Sequence, residues 1–423
     1  MIMGFASAYL ETRAIFPELI KEAPDKQTGI IVVVPACNES GLNSLLNSLA
    51  SCSEPDCKVE VLVFVNAPPK ADIETLHNNR NTIAGLHRWR IENISCYFRL
   101  FAVEADTSSV SGWGVGLARK TGMDEAVRRF DKIGRSDGVI VSLDADCQVE
   151  SNYFTALCDE LLKRKDRSAC SVYFEHPLSG KEYPEHNYRS VTLYELHLRY
   201  YLQGISYSGF PYVFHTVGSA LAVKALPYIK VGGMNRRQAG EDFYFIQKLV
   251  PGGGYCSLNS TTVYPSPRAS GRVPFGTGAT VMKMVMNNQK SLLSYNFLAF
   301  KDLKAFFNMI EQVFNCKYYN ESYQYYKLPA SVQSFISETE WRERIKEIKG
   351  NTSGLQSFQK RFFNWFNMFK IVKYLNHVHL HYYRKYSVEE AACDLLESTG
   401  IKFTSKNPAE LLLVYRKLEK GRY

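Results

Sequence analysis

The sequence predicts an α/β fold with a mostly parallel sheet and helices on both faces, followed by a mainly helical C-terminal domain. Three observations carry this expectation. Short β-rich runs alternate with helical patterns from Gly29 to about Pro267. The first run, IIVVV (30–34), is continuous and β-branched, as in strands buried on both faces. Beyond Asn287 the pattern changes to long helical periods.

The elements follow in order. SGLNSLLNSLASC (40–52) places Leu42, Leu45, Leu46 and Leu49 at helical spacing behind Ser40, a candidate N-cap. The same grammar repeats three times. VEVLVFV (59–65) precedes a helix near 70–87, CYFRLFAVE (96–104) one near 115–131, and GVIVSL (138–143) one near 151–165. In FQKRFFNWFNMFKIVKYL (358–375), Phe358, Phe362, Trp365, Phe366, Phe369, Val372 and Leu375 recur at three- and four-residue intervals, which predicts a helical second domain. The expected division is an N-terminal extension (1–28), an α/β domain (29–289) and a basic, aromatic-rich helical domain (290–423).

At 423 residues, with 45% hydrophobic and 22% charged content, the chain can bury a large core. The net charge of +9 is uneven: 21 Lys and Arg face 13 Asp and Glu from residue 290 onward, a net +8. Two readings of that tail stay open. Its aromatics form a core and its cations a solvated face, or the domain touches acidic lipid as a peripheral membrane contact. No run of 18 apolar residues occurs and no basic leader opens the chain, so a cytoplasmic protein is expected, one that is peripheral at the inner membrane face under the second reading. Ten cysteines are scattered without a C-x-x-C pair, which suggests reduced, buried thiols rather than zinc ligands or a disulfide framework.

Ligands of open α/β sheets gather at the carboxyl ends of the strands, and the polar residues of this half lie at those ends. The first strand is followed by Pro35, Ala36, Cys37, Asn38 and Glu39, and the second by Asn66, Ala67 and Pro68. After the third comes GWGVGLARKTG (112–122), with Arg119 and Lys120; its glycines do not fit G-x-G-x-x-G, because Arg119 occupies the third position. After the fourth come Asp144 and Asp146. Two carboxylates one residue apart at a strand exit suit a hard divalent cation that shares its coordination with phosphate and water. An ordinary turn also favours aspartate.

PACNES (35–40), Asp144-Ala145-Asp146 and the stretch GSALAVKALPYIKVGGMNRRQAGEDFYFIQKL (218–249) together resemble family 2 glycosyltransferases over roughly residues 29–275. The resemblance implies the Rossmann-like GT-A fold and a nucleotide-sugar donor, most simply a UDP-sugar. It places Pro35, Ala36, Asn38 and Glu39 against the nucleoside and assigns Asp144 and Asp146 to Mn²⁺ or Mg²⁺ with the donor diphosphate. From Gly240-Glu241-Asp242 it makes Asp242 the base of an inverting transfer. Asn66 stands where the family often has an acidic turn, so the identity of the base is left open. The membrane-spanning segments of the family's processive members are missing from this sequence.

The chemistry matches these residue types. A carboxylate takes the acceptor proton, while a metal ion and cationic side chains stabilise the departing nucleoside diphosphate. Arg119, Arg268 and Arg272 are the candidate cations, the last two in the irregular segment YPSPRASGRVPFGTGA (264–279), and Glu241 is expected at the acceptor or diphosphate. Simpler readings stand beside these: Glu39 favouring the start of a helix, Glu241 and Asp242 capping one, and His215 sitting in the core. The acceptor is a saccharide, a lipid-linked sugar or a small molecule; nucleic acid is not expected. A sugar nucleotidyltransferase and an inactive nucleotide-sugar-binding module are the rival functions.

Overall fold

The computed structural model describes residues 4–39, 41–104, 114–237, 240–272, 274, 276–316 and 321–421. Ser40 and residues 112–113 of the glycine-containing stretch lie outside this range. Eight strands form one sheet: β1 (Thr28–Ala36), β2 (Lys58–Val65), β3 (Phe98–Glu104), β4 (Val139–Ser142), β5 (Cys147–Val149), β6 (Ala169–Phe174), β7 (Leu221–Lys224) and β8 (Tyr255–Pro265). Their order is β3-β2-β1-β4-β7-β6-β8-β5. The first four in this order run parallel, as do β6 and β8. β7 is antiparallel to both β4 and β6, and β5 is antiparallel to β8. The α/β class with a mostly parallel sheet is therefore as the alternating pattern predicts.

The helices up to residue 286 are α1 (Ser7–Arg13), α2 (Leu42–Ala50), α3 (Ile73–Glu92), α4 (Val115–Lys132), α5 (Tyr153–Leu157), α6 (Glu185–Tyr207), α7 (Ala225–Lys230), α8 (Glu241–Leu249) and α9 (Thr277–Met286). Ile30 to Val34 have no exposed surface, because β1 lies between β2 and β4 and α4 packs against it. Gly122 makes that packing close: a Cβ there would stand 2.4 Å from Cγ1 of Val33. The helix expected near 151–165 is a short α5 that widens into a π-turn over Cys158–Leu162.

The chain separates into two compact units, residues 1–188 with 214–283, and residues 189–213 with 284–423. The second is helical, with α10 (Phe297–Asn308), α11 (Ile310–Asn315), α12 (Glu321–Tyr325), α13 (Ala330–Phe335), α14 (Glu338–Gly350), α15 (Leu355–Trp365), α16 (Met368–His381), α17 (Val388–Ser398) and α18 (Pro408–Glu419). A two-stranded ladder pairs β9 (Leu293–Ser294) with β10 (Tyr386–Ser387). The aromatic stretch 358–375 is two helices rather than one. Asn367 interrupts it, and its side-chain oxygen accepts the Lys370 N–H at 3.2 Å to cap α16. Phe306, Phe358, Phe362, Phe366 and Trp341 are buried together as this unit's core.

Not all of the tail's cations face solvent. Arg416 is buried and donates to Glu195 from Nε and Nη2, both at 2.8 Å; Glu195 also accepts from Arg199 Nε at 2.8 Å. This network joins α6 to α18 inside the helical unit. No helix among the described residues is long and apolar enough to cross a membrane.

Candidate functional site

The site is built where β1 and β4 end. The Val33 carbonyl accepts the Leu143 N–H at 3.1 Å, so Pro35, two residues on, faces the same side beyond the last β4 pairing. Its missing N–H therefore costs the sheet no ladder bond. The chain leaves β1 at Ala36 and turns at Asn38, whose φ of +54° is left-handed, a conformation asparagine tolerates better than most residues.

Two asparagines of α3 hold this turn. Asn79 Oδ1 accepts the Asn38 N–H at 2.8 Å while its Nδ2 donates to the Asn66 carbonyl at 2.7 Å, tying the ends of β1 and β2 together. Asn78 Nδ2 donates to Asn38 Oδ1 at 2.8 Å. Sequence reasoning missed both. The signal for them was the polar run HNNRNT (77–82) inside an otherwise helical segment.

Glu39 is buried and held from above. Arg268 grips it with two bonds, Nη1 to Oε2 at 3.0 Å and Nη2 to Oε1 at 3.1 Å, and Arg272 pairs with Oε1 as well. Arg272 Nη1 also donates to the Cys37 carbonyl at 2.9 Å. Arg268 then reaches Asp146 Oδ2 at 3.1 Å. One fork-shaped cation thus bridges the β1 loop and the acidic pair, a geometry that suits guanidinium and not ammonium.

Asp144 and Asp146 lie in the turn from β4 to β5, where the Cys147 N–H donates to the Asp144 carbonyl at 3.2 Å. The turn and the candidate ligand pair are the same object. About a third of each carboxylate side chain is exposed, 35% for Asp144 and 31% for Asp146. Burial pushes the Asp146 carboxyl up from its usual range, with the charge of Asp144 adding to it and Arg268 opposing.

Arg119, near the start of α4, is the second bridge. One guanidinium nitrogen pairs with Glu241 and the other with Asp144. Burial works against its charge, but Asp144, Glu241 and Asp242 outweigh that and raise its pKa, so it stays cationic. α8 begins at Glu241 after Gly240, whose φ of +71° makes the turn, and no side chain caps it. Glu241 is therefore a buried ion-pair partner and not an N-cap. Asp242 Oδ1 accepts the Phe243 N–H at 2.7 Å. Burial and the neighbouring Glu241 charge push the Asp242 carboxyl up to about 6, against the pull of Arg119.

The structure thus brings Glu39, Arg119, Asp144, Asp146, Glu241, Asp242, Arg268 and Arg272 into one charged cluster, with Pro35, Ala36, Asn38 and Asn66 at the adjoining strand ends. Lys120 is not part of it; it pairs with Asp124 at 2.9 Å. The ring of His215 stands edge-on to Phe174. Gly116 is there for packing, since a Cβ would stand 2.2 Å from the Arg237 carbonyl oxygen.

Among the described residues, no three His, Cys, Asp or Glu side chains gather as a closed metal site. Asp144 and Asp146 fit a hard cation only as two oxygen ligands, the rest being supplied by phosphate and water.

No family model and no curated protein matches the sequence. Solved structures do resemble the fold at low identity. Residues 1–349 of S. aureus TarS in complex with UDP-GlcNAc are 13% identical, with a TM-score of 0.39 over 79% of this chain and 91% of that one. The mannosyltransferase PcManGT from Pyrobaculum calidifontis in complex with GDP-Man and Mn²⁺ is 13% identical, with a TM-score of 0.36 over 98% and 92%. At these scores the likenesses assign no role to any residue of this chain.

Proposed function

We propose that this chain is a glycosyltransferase of the GT-A kind, moving a sugar from a nucleoside-diphosphate sugar, most simply a UDP-sugar, to an acceptor hydroxyl with inversion. The observation that carries the reading is the double bridge. Arg268 joins Glu39 to Asp146, and Arg119 joins Asp144 to Glu241, so three motifs far apart in sequence share one electrostatic unit.

In this reading Pro35, Ala36, Asn38 and Asn66 line the nucleoside end, with Glu39 toward the ribose. Asp144 and Asp146 would hold Mn²⁺ or Mg²⁺, which supplies positive charge to the leaving diphosphate when bound. Arg119, Arg268 and Arg272 add fixed positive charge beside the same carboxylates, in place before charge develops. Asp242 takes the acceptor proton; a carboxylate that titrates at about 6 is largely ionised at neutral pH yet more basic than a solvated one. Glu241, held by Arg119, positions α8.

The test is a donor-hydrolysis screen of the full chain with UDP-, GDP- and TDP-sugars and Mn²⁺. Release of nucleoside diphosphate supports the reading. Pyrophosphate release from a nucleoside triphosphate with a sugar phosphate would make it a nucleotidyltransferase, and binding without turnover an inactive module.

A further inference from the structure

A cavity of about 540 Å³ opens beside the charged cluster, between the end of α1, the start of α4, the loop 232–236 and α8. Its lining includes Arg13, Lys120, Arg236 and Lys248, and no Asp or Glu. Lys120 is buried at the wall and already neutralised by Asp124, which also accepts from the Tyr9 and Tyr228 hydroxyls. Arg13, Arg236 and Lys248 differ from the arginines of the charged cluster. None of the three has a carboxylate partner among the described residues.

Three uncompensated cations facing one concave space repel each other, and an anion bound among them relieves that repulsion. The volume is that of a small-molecule site. An ammonium beside two guanidinium groups suits phosphate, which accepts several charge-assisted bonds at once. We propose that this cavity binds a phosphate-bearing ligand, separately from the residues assigned above to the donor.

The cavity also has a route to the chemistry. Lys248 lies on α8, the helix that begins with Glu241 and Asp242. The lining residue Asn235 donates from Nδ2 to the Glu241 carbonyl at 3.1 Å. A ligand drawn in by these cations therefore bears on the same helix as the candidate base. On the glycosyltransferase reading, on which this last step rests, it is the acceptor or a regulator of its binding.

The experiment is calorimetry of the full chain with inorganic tripolyphosphate in metal-free buffer, beside the Arg236→Glu/Lys248→Glu double variant and the milder Arg13→Ala. The expected result is saturable binding that weakens at least tenfold in the double variant and measurably in Arg13→Ala, with UDP affinity and the thermal melt unchanged. Flotation with vesicles of phosphatidylcholine, with and without phosphatidic acid, separates the sources. Flotation that needs phosphatidic acid and is lost in the double variant assigns the phosphate to a lipid headgroup; tripolyphosphate binding without flotation assigns it to a soluble ligand. No saturable binding, or binding equally strong in the charge-reversed protein, overturns the site. Because UDP binding is read separately, failure of the cavity and failure of the donor reading are distinguishable.

Discussion

Gly218 lies so close to the guanidinium of Arg119 that a Cβ at this position would stand 2.3 Å from Nη1. Arg119 in turn pairs with Asp144 and Glu241, so the absence of a side chain at Gly218 leaves room for the bridge between two motifs. Gly218→Ala is expected to displace Arg119 and to cost roughly 1–3 kcal/mol, the usual range for overpacking a full interior. Arg119→Met should cost more, about 3–5 kcal/mol, because it leaves Glu241 buried without its cation. Urea unfolding of both variants checks the order, and an Arg119→Met protein as stable as the parent would mean the bridge is not formed.

If Asp144 and Asp146 hold a metal with the donor diphosphate, replacing either by Ala should weaken the divalent-dependent part of UDP binding and leave the metal-free part nearly intact. Calorimetry with and without Mn²⁺ reads this directly. Equal metal-dependent affinity in both variants would reduce the pair to the turn that it also forms.

Much of this arrangement was legible in the sequence, for a physical reason. IIVVV and VEVLVFV are apolar because both faces of their strands are covered, and the loops at their ends are polar because that is where the sheet meets solvent. Asp144 could be placed at a strand exit from this alone. What pairs with it could not. Arg119 reaches Asp144 across 25 positions and Arg268 reaches Asp146 across 122, and no local pattern encodes such a partner. The same limit hid Asn79, whose role lies in bridging two strand ends. It also hid Arg416, which looks like one more surface cation of a basic tail until Glu195 is found beside it.

Glu195 supplies the third prediction. It is fully buried and accepts from both Arg199 and Arg416; Arg199 also pairs with Glu419, so Glu195→Ala chiefly removes the carboxylate that Arg416 grips with two bonds. A loss of about 3–5 kcal/mol is expected, with little of it recovered in Glu195→Gln, which keeps the shape but not the charge. Denaturant unfolding followed through the tryptophans of the helical unit measures it. A Glu195→Gln protein matching the parent would show that the Glu195 charge is not what holds α6 to α18.

Cys57 and Cys158 lie 101 positions apart in sequence, with their sulfurs at 3.6 Å. Either sulfur can donate to the other; Cys57 is half-buried and Cys158 buried, so Cys57 is the thiol a disulfide reagent reaches first. With excess oxidised glutathione, Cys57 should form a mixed disulfide that Cys158 resolves, releasing reduced glutathione and leaving a Cys57–Cys158 bond. Peptide mapping without reductant should find the linked pair in the parent and glutathionylated Cys57 in Cys158→Ser. Glutathione adducts in the parent without the linked peptide would contradict the geometry.

If Asp242 is the base, it ties stability to catalysis. Its carboxyl is raised to about 6, chiefly by burial, so the folded chain holds this proton more tightly than the unfolded chain does. Ionising Asp242 therefore costs stability, and its contribution declines as pH rises from the ordinary carboxylate range through about 6. The base needs that ionised form. Transfer should fall as pH drops below about 6, and Asp242→Asn should remove this acid limb together with about 10²–10⁴-fold of the rate, while donor affinity is kept. The same substitution removes the unfavourable charge, so Asp242→Asn should be at least as stable as the parent at pH 8, and this advantage should vanish near pH 4. Transfer rates at saturating donor and melting curves across this pH range test both halves. If Asp242→Asn turns over within a few-fold of the parent, Asp242 is not the base; if it is active but less stable at pH 8, the carboxylate serves the fold instead.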